Sequence, residues 1–231
     1  MKTTVRILLG LSICFLCYIC VMSVMTPINF ENTRAAREGA VIKNLVDIRT
    51  AEVEFRAQHG RYTANLDSLI MFVCTGEKKE VVKEGALTDK QLESGLTELK
   101  AVNMIKKAEK TGNWKDVDAN GLRGFKRDTI STPLLQALYK GEYDENTIKN
   151  ILTIPYTEGV RYEAVVNDNY STQQGIHVPL VEVRAHFNTW LGDQDDQERV
   201  NLIDREEKLG HYPGLRFGSI DEPNNNAGNW E

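Results

Sequence analysis

Beyond residue 25 the chain has a single cysteine, Cys74, and no apolar run long enough to cross a bilayer. A lone thiol closes no internal disulfide, so this region must be held by packing and hydrogen bonds. The four histidines, His59, His177, His186 and His211, lie in different parts of the chain. Zinc binding or acid–base chemistry needs such groups to converge with a carboxylate, and the spacing for that is missing. No phosphate-loop pattern and no glycine-flanked serine occurs, and GLRGF at 121–125 reads as a turn. A basic excess is lacking too. The formal charge is −5, and since Lys2 and Arg6 are the only charges before Glu31, removing them leaves −7. That balance argues against a nucleic-acid partner, which requires a basic face. The expectation is therefore a protein without catalytic, cofactor-binding or metal residues, in which an anchored hydrolase ranks last.

What is present begins with ILLGLSICFLCYICVMSVM, residues 7–25, which contains no charged residue. At about 1.5 Å per residue a helix of this length just spans a hydrocarbon layer of roughly 30 Å. The segment reads as a transmembrane helix in contact with membrane lipid. A cleaved signal peptide is the competing reading, disfavoured by the length of the run and the lack of a small-x-small site before Thr26. Lys2 and Arg6 favour a cytoplasmic tail over 1–6, and the expectation is a single-pass chain in the inner (cytoplasmic) membrane with its bulk in the periplasm or extracytoplasmic space. Cys14, Cys17 and Cys20 recur every three residues inside the run. Three thiols without a nearby histidine do not make a zinc site, so they read as packing residues.

Thr26-Pro27 predicts a break or kink, with Asn32 or Thr33 capping a new helix. An amphipathic stalk helix is expected over 26–60. Val41, Leu45, Ile48 and Phe55 form its apolar stripe, widened by Ile42, Val46 and Val53. Glu38, Lys43, Asp47, Arg49, Glu54 and Arg56 are expected to face water, and Glu52 interrupts the apolar edge. Gly60 should end the helix, with His59 at the negative end of its dipole. Tyr62, Leu66 and Leu69 then fold back onto the stripe.

Phe55, Gly60, Tyr62 and Leu69 fit a pattern like Y-x-x-x-x-G-x-Y-x-x-x-x-x-L after a hydrophobic helix. In this respect residues 7–70 resemble the type IV pilin and type II secretion pseudopilin superfamily. The resemblance implies a non-enzymatic component of a bacterial secretion or pilus-like assembly, with other envelope or secretion proteins as partners and self-assembly as a further expectation. It also implies a basic leader ending in glycine, where Gly10 and Leu11 stand. Phe15 occupies the place of the family's registering glutamate, which points to a non-polymerising, pilin-like accessory protein. Downstream, LTDKQLESGLTE, GLRGFKRDT, GHYPGLRFGS and NNNAGNWE resemble segments of uncharacterised bacterial envelope proteins with the same anchored layout.

Residues 61–231 read as a small α+β head with an antiparallel sheet. KEVVKE (79–84) predicts an exposed strand, Thr88 a helix cap, and LLQALY after Pro133 a short helix or strand edge. GVRYEAVV (159–166) and IHVPLVEVRAHF (176–187) are strands fit to pair, the second at an edge or bulged at Pro179. Asp195 starts a last helix that Gly210 ends. Oxygen-rich Asp193–Glu198 is either a calcium site or a helix cap, and the 195/198 spacing favours the cap. Asp221, Asn224, Asn225 and Asn226, near Trp230, are placed like the carboxy-terminal calcium loop of major pseudopilins, which the resemblance implies; a flexible tail is the plainer expectation. An anchored binding module for a protein, glycan or calcium is the alternative function.

Overall fold

The computed structural model describes residues 2–231. The chain forms two compact units, one from the stretch ending at Val73 together with Glu142–Glu231, the other from Cys74–Gly141. The region 61–231 thus contains all of the second unit and part of the first. The fold is α+β with small antiparallel sheets.

In the first unit a single helix, α1 (Lys2–His59), runs for 58 residues. The break expected at Thr26-Pro27, with a new cap at Asn32 or Thr33, does not occur, and Pro27 lies inside the helix. Proline forfeits one backbone bond, a loss that a long ladder on both sides tolerates. Val41, Leu45 and Ile48 are fully buried, as their spacing predicts; Ala51 is fully buried as well, and Phe55 is half-buried. Val53 is instead 49% exposed, because five residues past Ile48 lie about 140° around the helix at 3.6 residues per turn. Gly60 closes α1 at φ +74°, its N–H bonded to the Arg56 carbonyl at 2.8 Å. Asn65 caps the next helix, α2 (Leu66–Thr75), accepting from the Asp67 and Ser68 amides.

A three-stranded antiparallel sheet follows in the same unit, ordered β3 (Glu163–Asn167), β4 (Leu180–His186) and β5 (Gly214–Gly218). The first two strands pair as their alternation predicted. Their position corrects the edge assignment, since β4 is central and bonded on both sides. Pro179 precedes the ladder, so its missing N–H interrupts nothing. The short α7 (Phe187–Trp190) and α8 (Asp196–Lys208) join β4 to β5. Asp195 caps α8, its carboxylate accepting the Glu198 amide at 3.1 Å. The last residues add to the sheet edge through a Phe217–Gly228 bridge and the Gly218 amide bonded to the Ala227 carbonyl at 3.0 Å.

The second unit is built on an antiparallel ribbon of β1 (Glu77–Glu84) and β2 (Lys126–Pro133). Between the strands come α3 (Asp89–Glu93), α4 (Glu98–Thr111) and α5 (Lys115–Ala119). Leu96, Ala101, Ala108, Val117, Leu122 and Phe125 form their own small core. The Gln91 side chain accepts the Thr88 amide at 2.7 Å, and Thr97 caps α4. LLQALY is helical, as α6 (Leu134–Tyr139).

Candidate functional site

The first half of α1 is a bare apolar rod. Its most hydrophobic window has a mean hydropathy of 2.6 and no buried residue. Leu8, Leu11, Phe15 and Val21 are each at least 59% exposed, and Cys14, Cys17 and Cys20 are exposed and free. By length and composition this helix can cross a membrane. Exposure ends abruptly: Met25 is 43% exposed and Phe30 only 4%.

From Phe30 onward the same helix is clasped. The 3₁₀ turn Ile148–Leu152 and strands β4 and β5 pack against it, so the stripe is covered mainly by residues far downstream. Tyr62, Leu66 and Leu69 are buried as expected, and the fold-back covers the distal end, where Phe72 meets the Phe55 ring edge-on at 5.1 Å. Residues 142–231 reach α1 also through polar ties. Arg37 donates to both carboxylate oxygens of Asp193, at 2.5 and 2.7 Å, and to the Trp190 carbonyl at 2.8 Å. This fork holds the Asp193 carboxyl well below the usual carboxylate range. The Tyr162 hydroxyl donates to the Val41 carbonyl at 3.2 Å, and the Asn44 amide to the Thr153 carbonyl at 3.2 Å.

Lys43 contacts Glu142 at 2.7 Å, Tyr143 at 2.5 Å and Asp47 at 3.2 Å. Its ammonium is held charged far above the ordinary lysine value, first by Glu142 and then by Tyr143. Arg49 bonds Glu231 at 2.5 Å and the Asn226 carbonyl at 3.2 Å. Lys43 faces water as expected, its side chain 49% exposed, while the expectation for Asp47 and Arg49 is corrected. Asp47 and Arg49 side chains are only 14% and 25% exposed, because long or hydrogen-bonding side chains at the stripe's edge hold the covering segments.

Glu52 is the residue that sequence reading undervalued. It lies four residues past Ile48 and is fully buried. One carboxylate oxygen accepts the Thr63 amide at 3.2 Å, and the other has no partner among the described residues. Burial without a cation pushes its pKa up to about 8. The signal was available, since 45, 48 and 52 share one helix face.

The other residues singled out in the sequence are engaged separately. Asp195 caps α8, and Asp196 pairs with Arg199 at 2.6 Å. In the tail, the Asn224 side-chain oxygen accepts the Asn226 amide, and the Asn226 side chain donates to the Tyr62 hydroxyl at 2.8 Å. The tail is thus tied down rather than free. His59 stacks on Phe55, the ring nitrogen Nδ1 of His186 accepts the Asn188 amide, and His211 meets Glu206. Among the described residues no three His, Cys, Asp or Glu side chains are grouped to hold a metal. No protein-family model matches the chain, and neither curated proteins nor solved structures show a significant match to it.

Proposed function

We propose that this chain is a non-enzymatic, single-pass membrane protein that serves a bacterial envelope assembly, secretion or pilus-like, as a pilin-like component. One observation carries the reading: a single unbroken helix is bare and apolar over residues 7–25 and clasped from Phe30 onward. A bare rod of that hydropathy is unfavourable in water and favourable in hydrocarbon. Continuity of the helix joins the apolar anchor directly to the clasped part of the first unit. In this account Lys2 and Arg6 mark the cytoplasmic end and the remainder lies outside the inner membrane.

The test is protease accessibility. Inner-membrane spheroplasts bearing the full chain, tagged at its carboxy terminus, are treated with external protease. The reading predicts loss of the tag from intact spheroplasts. A tag protected until lysis contradicts the orientation.

A further inference from the structure

Charge is divided unequally between the two units. Cys74–Gly141 carries 13 Lys or Arg against 10 Asp or Glu, net +3, which leaves −8 for the rest of the chain. The excess concentrates on α4. Its inner side, with Ala101, Met104, Ile105 and Ala108, is committed to the unit's own core. At 3.6 residues per turn Lys100, Lys106, Lys107 and Lys110 share the opposite side with Leu99. Leu99 is 71% exposed, and no acidic residue falls on that arc. Lys106, Lys107 and Lys110 make no ion pair among the described residues, whereas the flanking Glu98 pairs with Arg127 at 3.0 Å.

The first unit presents the counterpart. On α8, Asp196, Val200, Asp204 and Glu207 fall on one side of the helix by the same periodicity; Arg199 pairs with Asp196 at 2.6 Å and Lys208 with Asp204 at 3.6 Å, yet α8 as a whole keeps five acidic side chains against three basic ones. Val200 is 47% exposed. A basic face around an exposed leucine and an acidic face around an exposed valine, on helices of 14 and 13 residues, match in charge, length and apolar centre.

We infer that the α4 face of one molecule docks on the α8 face of a second copy of this chain. The contact joins different surfaces of the two molecules, so it is heterologous and leaves one α4 face and one α8 face free on the pair. It names the partner for the assembly role proposed above and rests on that reading for its setting. Because α4's apolar side is already covered, the face has no insertable stripe for lipid.

The experiment uses the full chain in detergent micelles, with a photo-crosslinking amino acid replacing Leu99 and two differently tagged copies mixed. The expected product links the two tags, with the adduct mapped to α8. Lys106→Glu, Lys107→Glu and Lys110→Glu together should lower its yield about tenfold, as should raising the salt to about 0.5 M. Adding Asp204→Lys and Glu207→Lys to the other copy should restore it. Adducts confined to one chain, to detergent or lipid, or to a surface other than α8, or a yield indifferent to charge reversal, would overturn the inference. Far-ultraviolet circular dichroism of each variant separates loss of docking from loss of folding. Since the assay needs no bilayer, its failure leaves membrane anchoring standing, and failure of anchoring leaves it readable.

Discussion

Replacing Glu52 by glutamine should make the protein more stable at pH 8 while changing little at pH 4.5. The carboxyl is fully buried, accepts one backbone N–H at 3.2 Å and has its pKa raised from 4.5 to about 8. Between those values the folded chain keeps the proton and the unfolded chain releases it. The unfolded state binds fewer protons, so unfolding free energy falls as pH rises through this window and levels off above it. At about 1.4 kcal/mol per pH unit the full interval is worth roughly 5 kcal/mol. Glutamine cannot ionise, and its amide oxygen can still accept the Thr63 amide. His186, whose pKa is lowered by burial, acts in the opposite sense, but it is common to both proteins and cancels in the comparison. Urea unfolding in micelles, followed by tryptophan fluorescence, would track Trp190, which is fully buried in the same unit. The predicted result is a gap between Glu52→Gln and wild type that opens from pH 5 to pH 8. Parallel curves across that range would refute the reasoning.

Other expectations follow from the packing. Leu45→Ala, at a fully buried position, should cost about 2–5 kcal/mol in urea unfolding, whereas Val53→Ala on the exposed side should stay within about 0.5 kcal/mol. Gly218→Ala places a Cβ 1.9 Å from the Val181 carbonyl oxygen at φ +76° and should cost at least about 2 kcal/mol; Gly60→Ala, at φ +74° in open space, should cost about 1–2 kcal/mol, both read by thermal melting. Asp193 has its pKa lowered below 3.8 by Arg37. The stability it adds is therefore present above that value and lost as pH falls below it, and Asp193→Asn should lower the melting temperature at pH 7 yet converge with wild type in strong acid. The side chain is 59% exposed, so the effect at pH 7 should be under about 1 kcal/mol.

Where local chemistry decides structure, it was readable from the residues. The 41–45–48 spacing, the stop at Gly60 and the Asp195 cap each depend on neighbours within a turn or two. Pro27 does not break the helix, because its cost is local while the helix around it is long. Pro179 misled because one residue decides whether it lies in the ladder or before it. Strand β5 passed unnoticed: GLRFG is five residues, flanked by glycines, with Arg216 at its centre, and only pairing with β4 makes it a strand. The ties of Arg37, Lys43 and Arg49 span about a hundred residues or more, so no periodicity announces them. The inserted unit at Cys74–Gly141 has no linker composition at its ends, and only the ribbon pairing, Glu77 opposite Pro133, marks it.

The central claim is that the apolar segment of residues 7–25, whole or from Leu11 onward, stays on the mature protein and holds it in a membrane. Intact-mass measurement of the chain recovered from carbonate-washed membranes tests it directly. The account predicts a membrane-bound species whose mass includes residues 7–25, or starts at Leu11 if the leader is removed after Gly10. A soluble species beginning near Thr26 would contradict it.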